Sequence, residues 1–355
     1  MSKNFCIIEL YKGHSECIYS QYIYLKNRNL KVFLISEEKA YSKLPELEFD
    51  DIYLFKSKGI FHWLKTLFEI KKFLKKNKIS TCIINTAENN KVRDLLLFTK
   101  NISFFGIIHH IKKLDNSFTQ KIITKKIRGY FTLNDYLTNN IRGKIDSAKK
   151  IDTLYSIFYP VTDNMISLKP DNEIWIGVPG NIELKRRNYL DLIDAVKNAG
   201  LKKTKFLFLG KPNENDIKTI EEKIIAHNIE NRFIWFNSYL ENNLFLSYIN
   251  NCDFIMPLIH HELREEYINN RISGSFNLGF GLKKPFLIEE KFKEIEDFNA
   301  FSIFYSHTNL KNILKQIDSG EVFIDKYREL ESQIGNYTKF DFDRLKIRYL
   351  GIMEA

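Results

Sequence analysis

The alternation of short β-rich runs with helix-like stretches is the feature that most constrains the fold of this 355-residue chain. Runs rich in Ile, Val, Phe and Leu recur along both halves, and segments with helical spacing separate them. This alternation is typical of βαβ units around a parallel sheet. We predict two series of strands: Phe5–Leu10, Leu30–Ile35, Asp51–Phe55, Thr81–Asn85, Phe104–His109, Gly129–Leu133 and Asp152–Tyr155, then Ile174–Val178, Lys205–Leu209, Phe233–Phe236, Asp253–Leu258, Pro285–Ile288 and Ser302–Tyr305.

The series is interrupted between the two halves, at residues 160–172. This segment, PVTDNMISLKPDN, has two prolines and no clear periodicity, so we place a domain linker there. Length supports two cores, because single domains seldom grow beyond about 250 to 300 residues. We predict an α/β fold of two Rossmann-like, doubly wound parallel-sheet domains facing across a cleft, at 1–165 and 172–335, and a C-terminal helix within 336–355. Ligands of such folds bind at the carboxyl ends of the strands.

Charge and cysteine usage restrict the partners and the compartment. Residues 1–170 hold 29 Lys and Arg against 16 Asp and Glu, whereas the rest hold 25 against 28. A basic first half favours an anionic partner, such as a membrane, a lipid diphosphate, an acidic glycan or a nucleic acid. Four scattered cysteines fit a reducing cytoplasm, and the sequence has neither a signal peptide nor an apolar run long enough to span a membrane.

The segment Phe61–Lys76 predicts an amphipathic basic helix. Such a helix can lie on an anionic membrane at the inner face of the cell, although an apolar stripe more often faces its own domain's core. Both interpretations hold if the lysines alone meet lipid headgroups. The apolar stripe contains Trp63, Leu67, Ile70 and Leu74, and the opposite side carries Lys65, Lys72 and Lys76.

Two segments of the second half are candidates for binding phosphate. The turn after Ile174–Val178 contains a glycine followed by three consecutive cations, and Lys211 follows the next strand. The alternative is an ordinary glycine turn before a solvent-exposed helix. The Ser-Gly-Ser turn further on is a good helix cap whose first-turn amides can meet an anion. The candidate residues are Gly180, Asn181, Lys185, Arg186, Arg187 and Lys211 in the first group and Ser273, Gly274 and Ser275 in the second.

Histidines supply the remaining candidates. His260, His261 and Glu262 follow the strand Asp253–Leu258, where the hydroxyls of a donor sugar would be recognised, and adjacent histidines seldom ligate one metal ion. In the first half, a histidine that ends a buried strand can act as a general base toward an acceptor hydroxyl. Because side chains alternate along a strand, only one of that pair would face the cleft. The pair is His109 and His110, and the facing loop on the acceptor side is Gly13 and His14.

In their order and spacing these motifs resemble GT-B glycosyltransferases, and they are similar to the family 4-like enzymes that build bacterial capsule, lipopolysaccharide and exopolysaccharide. The resemblance is clearest from Ile174 to Ile288. It rests on Gly180 with Lys185-Arg186-Arg187 and Ala195, Phe206–Lys211, Asp253 with Pro257 and Glu262, and Gly274-Ser275 with Lys284-Pro285. Phe131–Asp135 also looks like the family's strand-to-helix turn in the first domain.

The resemblance implies a metal-independent, hexosyltransferase-like enzyme that needs no cofactor beyond its donor substrate. A nucleoside diphosphate sugar would bind the second domain, and a glycan or lipid-linked glycan would meet the first. Arg187 best matches the family's diphosphate-binding lysine, with Arg186 and Lys185 as alternatives. Glu262 matches the first of two glutamates seven residues apart. The second glutamate is missing near Asn277 or Leu278, which leaves retention or inversion open.

Two other classes of function remain open from the sequence. A sugar-nucleotide epimerase has the same architecture and would form its product without an acceptor. A catalytically silent GT-B-like subunit or a basic nucleic-acid-binding protein is the alternative without catalysis. Recognition of RNA usually needs aromatic platforms within a basic motif, and the chain has no such signature, so we expect no nucleic acid partner.

Overall fold

The structure is a computed structural model of the chain. It describes residues 3–114, 117–160, 169–299, 301–320, 328–330, 332–333 and 336–354. The described residues form two compact units. Unit 1 comprises Met1–Pro160, Asn269–Ile272 and Lys339–Ala355, and unit 2 comprises Val161–Ile268 and Ser273–Thr338. Most of the linker predicted at 160–172 lies outside the described residues.

Unit 1 is built on a seven-stranded sheet in which every pairing is parallel. The strand order is β3-β2-β1-β4-β5-β6-β7, so the chain starts in the middle, builds outward to β3, and returns to β4 beside β1. The order therefore reverses between β1 and β4. The strands are β1 (Asn4–Glu9), β2 (Lys31–Glu37), β3 (Asp51–Phe55), β4 (Thr81–Ile84), β5 (Ser103–Ile107), β6 (Gly129–Thr132) and β7 (Lys150–Thr153).

Helices cover this sheet because its central strands are apolar on both faces. Ile7 and Ile8 of β1, for example, point to opposite faces and are both fully buried. The helices are α1 (Glu16–Lys26), α2 (Glu38–Tyr41), α3 (Ile60–Lys76), α4 (Asn89–Phe98), α5 (Phe118–Lys126) and α6 (Asp135–Arg142). Trp63, Leu67, Ile70 and Leu74 of α3 belong to the core, so the predicted apolar stripe of this helix faces its own domain.

The C-terminal helix α14 (Phe342–Glu354) packs on unit 1 rather than on the unit that precedes it in sequence. The Arg348 guanidinium pairs with the carboxylates of Asp135, at 2.8 Å, and Asp152. Burial alone would raise the pKa of Asp135, but hydrogen bonds from Arg348, Thr153 and Lys339 hold it well below its usual value. The last residues of the chain thus complete the first unit.

Unit 2 repeats the architecture with six parallel strands in the order β10-β9-β8-β11-β12-β13. The order reverses between β8 and β11. The strands are β8 (Ile174–Pro179), β9 (Thr204–Leu209), β10 (Phe233–Trp235), β11 (Phe254–Ile255), β12 (Phe286–Glu289) and β13 (Ser302–Tyr305). The helices are α7 (Tyr189–Ala199), α8 (Glu214–Ala226), α9 (Asn242–Asn251), α10 (Arg264–Asn269), α11 (Gly274–Gly281), α12 (Glu296–Asn299) and α13 (Leu310–Ser319).

The architecture confirms the predicted α/β class with two parallel-sheet domains. Each predicted strand is present, with ends displaced by a few residues. The largest difference is β11, which covers Phe254–Ile255 rather than Asp253–Leu258, because Leu258 has a φ of 48° and the chain turns there. Among the described residues, no helix is both long and apolar enough to cross a bilayer.

Candidate functional site

The turn after β8 lies at the reversal point of the unit 2 sheet, where ligands of doubly wound folds bind. Gly180 has a φ of 106°, and a side chain on it would collide with the Arg187 guanidinium. A side chain on Gly210 would in turn collide with the Gly180 carbonyl. Glycine is therefore required at both positions, and the backbone that follows β8 packs directly against the backbone that follows β9.

Arg187 occupies the space beside this turn. Its Nη1 donates a hydrogen bond to the carbonyl oxygen of Pro257, and its backbone forms an antiparallel bridge with Ile259. Burial lowers the pKa of the guanidinium. In the described part of the chain, no carboxylate forms a salt bridge with Arg187. A partly buried cation without a counter-ion is costly, and an anionic ligand is one way to offset that cost.

The neighbouring cations are more exposed and are engaged elsewhere. The Lys185 ammonium lies in solvent at 3.9 Å from the Glu183 carboxylate, and Arg186 donates to the Tyr267 hydroxyl at 3.2 Å. Asn181 and Lys211 are also exposed at the ends of their turns. Of the three consecutive cations that the sequence predicted as diphosphate ligands, the structure buries the Arg187 side chain most deeply beside Gly180.

The N-terminus of α11 is fastened to the same turn. Ser273 caps the helix by accepting the N–H of Ser275, and the Ser275 hydroxyl donates to the carbonyl oxygen of Pro179 at 3.1 Å. A side chain at Gly274 would meet nothing within 4 Å, so space is open at the first helical turn. The structure thus brings the two predicted phosphate-binding segments together, with the first turn of α11 and Arg187 both beside the turn that contains Gly180.

The loop after β11 places its histidines and its glutamate differently. The His260 and His261 rings stack with centroids 4.3 Å apart. The backbone N–H of His260 donates to the Arg186 carbonyl oxygen at 2.9 Å. Burial, followed by the charge of His261, lowers the pKa of His260. The Glu262 side chain is 77% exposed, and no described contact directs it toward Gly180. The assignment of Glu262 as a catalytic residue stays a prediction.

A different carboxylate is buried at this edge of the sheet. Glu289 ends β12 and forms an ion pair with Arg264, whose Nη2 lies 2.8 Å from a Glu289 oxygen. Burial raises the pKa of Glu289, although the hydrogen bond from Arg264 opposes the shift. Sequence reasoning missed this pair because its members are 25 positions apart and each resembles an ordinary surface charge.

Unit 1 has a second polar cluster, at the reversal point between β1 and β4. Glu9 ends β1 and is fully buried. One of its oxygens accepts from the Asn85 amide at 2.6 Å and from the Thr86 hydroxyl at 2.7 Å, and the other accepts from the Tyr11 N–H at 2.8 Å. Burial raises the pKa of Glu9 to about 7, against the lowering effect of these hydrogen bonds.

Two histidines complete this cluster. The His14 and His109 rings stack with centroids 3.7 Å apart, and His109 Nε2 donates to the Asn85 carbonyl oxygen at 2.7 Å. That bond leaves Nδ1 as the acceptor in neutral His109. Burial, helped by the charge of His14, lowers the pKa of His109 to about 3. Burial also acts to lower the pKa of His14, but the hydrogen bond that its ring donates to Glu16 and the charges of nearby carboxyls leave the pKa raised.

The remaining predicted residues have supporting positions. The backbone N–H groups of His109 and His110 both donate to one oxygen of Glu88, at 3.0 and 2.9 Å. Gly13 precedes His14, which has a φ of 60°. The cluster favours His14 over His109 for proton transfer, because a group whose pKa is about 3 is a weak base. No local pattern indicated the roles of Glu9 and Asn85, because these residues lie 76 positions apart.

No dedicated metal centre is evident at either cluster. Within the part of the chain that the structure describes, no three His, Cys, Asp or Glu side chains are grouped closely enough to hold a metal ion. The oxygens of Glu9 are occupied by protein donors, and Glu289 is paired with Arg264. What the geometry offers is an anion-binding turn in unit 2 and a hydrogen-bonded carboxyl-histidine cluster in unit 1.

Comparison with known proteins shows where this architecture occurs. No protein-family model matches the chain, and no curated protein matches its sequence. Solved structures do match along the whole chain. HepE from Anabaena in complex with UDP has a TM-score of 0.68 at 12% identity, with 99% of each chain covered. TarM from S. aureus, in complex with Fondaparinux, α-GlcNAc-glycerol and UDP, has a TM-score of 0.68 at 12% identity, with 100% of each chain covered.

An epimerase shares the same architecture. A Listeria monocytogenes protein described as a UDP-N-acetylglucosamine 2-epimerase matches with a TM-score of 0.68 at 8% identity. The match covers 99% of this chain and 96% of that one. At these identities the likeness concerns the fold alone. The fold is that of the GT-B glycosyltransferases, with one parallel sheet in each of two units.

Proposed function

We propose that this chain is a glycosyltransferase that moves a sugar from a nucleoside diphosphate sugar to a hydroxyl of a glycan or lipid-linked glycan. The observation that carries the proposal is the position of Arg187, a partly buried cation without a carboxylate partner, beside Gly180 and the α11 N-terminus. Cations and free amides at one point stabilise the charge that develops on a leaving diphosphate. Because HepE and TarM form complexes with UDP, UDP is the first nucleotide to test as a ligand of this chain.

The donor would bind unit 2, with its diphosphate between Arg187 and the first turn of α11 at Gly274. Lys185, Arg186 and Lys211 are exposed cations that would meet the outer phosphate oxygens. His260 and His261 lie beyond Arg186 and would recognise the sugar or the ribose. In this proposal the diphosphate needs no metal ion, because protein donors neutralise it, and no cofactor takes part beyond the donor substrate.

The acceptor would bind unit 1 at the Glu9–His109 cluster. His14 is partly exposed and has a raised pKa, so it would exchange a proton with the acceptor hydroxyl near neutral pH. His109 would hold the His14 ring by stacking, and Glu9 would fix Asn85, which orients His109. These residues would serve an inverting reaction directly. In a retaining reaction the donor phosphate would share the role of the base.

The biological setting is part of the same proposal. A metal-independent hexosyltransferase of the family 4-like group, acting in capsule, lipopolysaccharide or exopolysaccharide synthesis, fits the motif order of unit 2. We place the protein in the cytoplasm, at the inner face of the membrane. The basic first half supports this location, since anionic lipids and lipid diphosphates occur there.

Calorimetric titration with UDP tests the donor site. We expect wild-type protein to bind UDP, and we expect Arg187→Lys to weaken binding by about tenfold or more. The planar guanidinium can bond the Pro257 carbonyl oxygen and a phosphate at the same time, whereas the lysine ammonium cannot. Arg232→Lys is the matched control, since Arg232 is an exposed arginine of unit 2 that bonds the Lys202 carbonyl. Equal UDP affinity in wild type and Arg187→Lys would contradict the assignment.

The epimerase is the second candidate, because an epimerase has the same architecture. Incubation with a sugar nucleotide in the absence of any acceptor separates the two activities. An epimerase converts the sugar nucleotide into its epimer under these conditions, whereas a glycosyltransferase leaves it intact or slowly hydrolyses it to nucleoside diphosphate and free sugar. A chain that binds UDP but does neither with any acceptor would be a silent subunit.

A further inference from the structure

Helix α3 exposes four large apolar side chains beside its buried stripe. Their exposed fractions are 73% for Ile60, 86% for Phe61, 49% for Leu64 and 56% for Phe68. We call these four residues the apolar patch. Scattered exposed apolar residues are ordinary, but four within nine residues of one helix form a surface of the kind that marks interaction sites.

The apolar patch is separate from the stripe that the sequence singled out. Trp63, Leu67, Ile70 and Leu74 lie in the core of unit 1 and hold α3 on the sheet. At 100° per residue the apolar patch lies beside that stripe and faces solvent. Phe68 also packs edge-to-face on Phe98 of α4, with ring centroids 4.8 Å apart, so the residues whose exposure packing does not explain are Ile60, Phe61 and Leu64.

Three lysines border the apolar patch. Lys58 precedes the helix, Lys65 lies beside Leu64, and Lys75 follows Phe68 by seven positions on the same face. In the described part of the chain, none of these three forms a salt bridge with a carboxylate. A row of apolar side chains bordered by unpaired lysines matches the boundary of an anionic bilayer, where acyl chains lie beneath negative headgroups.

The charge of this surface also argues against a second copy of the chain. A two-fold dimer would place the same surface of each subunit against itself. Lys58, Lys65 and Lys75 would then face their own equivalents, and like charges across an interface are unfavourable. An anionic membrane removes that conflict, because each lysine gains a negative partner.

The first turns of α3 also lie close to the polar cluster of unit 1. The Lys91 ammonium sits between two rings, 5.6 Å from the centroid of Trp63 and 5.5 Å from that of Tyr11. Tyr11 in turn donates its N–H to Glu9 and its hydroxyl to the Glu88 carbonyl oxygen. A single layer of side chains thus links α3 to the Glu9–His109 cluster.

We infer that the exposed face of α3 binds anionic membranes by inserting the apolar patch among the acyl chains while Lys58, Lys65 and Lys75 contact the headgroups. This orientation brings the Glu9–His109 cluster close to the lipid surface. Its use for a lipid-linked acceptor rests on the proposed function, but membrane binding itself does not.

Vesicle flotation of the full chain tests this inference, with phosphatidylcholine vesicles that either contain or lack phosphatidylglycerol. We expect wild-type protein to float with the anionic vesicles and to dissociate at high salt. The double variant Phe61→Ser and Leu64→Ser should lose about tenfold or more in binding. The triple variant Lys58→Gln, Lys65→Gln and Lys75→Gln should lose about fivefold for each lysine.

Ile225→Ser is the matched control, because Ile225 is a 58% exposed apolar residue on α8 of unit 2, and its binding should equal that of wild type. UDP titration and thermal midpoint on the same preparations report on folding and on the donor site independently. Failure of wild-type protein to float with anionic vesicles overturns the inference, as does full binding by the Phe61→Ser and Leu64→Ser variant. A wild-type dimer that this variant dissociates would also overturn it, since the surface would then join two copies.

Discussion

Replacement of His109 by Gln should change how the stability of the protein depends on pH. His109 is 8% exposed, and burial lowers its pKa to about 3, from an ordinary value of 6.5. As the pH falls below about 6.5, the unfolded chain protonates this imidazole while the folded chain does not. The unfolded state then binds more protons, so stability falls with falling pH across the window from 6.5 to about 3. The stability is fully present above the unfolded pKa.

The magnitude follows from the two pKa values. Each pH unit within the window is worth about 1.36 kcal/mol, so wild-type protein at about pH 5.5 should lose about 1.4 kcal/mol relative to neutral pH through His109 alone. Gln at this position cannot be protonated, and its amide nitrogen can still donate to the Asn85 carbonyl oxygen. The variant should therefore lack this loss, although it also loses the stacking against His14.

Thermal unfolding of both proteins between about pH 8 and pH 5 measures the difference. For a unit of this size, about 1.4 kcal/mol corresponds to about 3 to 6 °C in midpoint temperature. Glu9 acts in the opposite sense: its raised pKa of about 7 makes stability fall as pH rises above 4.5. That contribution is present in both proteins and cancels in the comparison. Parallel pH profiles would refute the reasoning, because His109 would then titrate as it does in the unfolded chain.

Three further substitutions test the geometry of the two units. Gly180→Ala should destabilise the protein by about 1 to 3 kcal/mol in denaturant unfolding and abolish UDP binding, because the new methyl collides with Arg187 at a positive φ; normal UDP affinity would contradict this. Arg264→Met should cost about 3 kcal/mol by leaving Glu289 unpaired, and a loss no larger than at an exposed site would show that the pair is not buried. Asp135→Asn should expose the C-terminal helix to limited proteolysis, since Arg348 loses a carboxylate partner; unchanged cleavage would count against the contact.

The sequence predicted the layered architecture well because the signal for it is local. Buried parallel strands are apolar throughout, and each of the predicted runs became a strand in one of the two sheets. Gly180 and Arg187 could also be singled out, since a glycine and a cation after a strand are separated by only a few positions. Their assignment as ligands of a diphosphate stays a prediction.

The parts that sequence reasoning missed depend on contacts between distant positions. The Glu9 carboxyl accepts hydrogen bonds from Asn85 and Thr86 only because β1 and β4 are neighbours in the sheet. No local sequence pattern predicts this strand order. The buried carboxylate Glu289 was missed because its partner Arg264 lies 25 positions away, and the role of Glu262 stays a prediction. The lysines on the outer side of α3 were noticed, but its apolar patch was overlooked because the inner stripe has the stronger helical periodicity.

The most direct test of the central claim is a thermal-shift screen of the purified full chain against UDP, GDP, CMP, dTDP and their sugars, with RNA as a control. A ligand that binds the native state raises its stability, by about 2.7 kcal/mol at a concentration one hundred times its dissociation constant. We predict selective stabilisation by one nucleoside diphosphate, and loss of that effect in Arg187→Lys. No shift with any nucleotide, or a shift with RNA alone, would contradict the account.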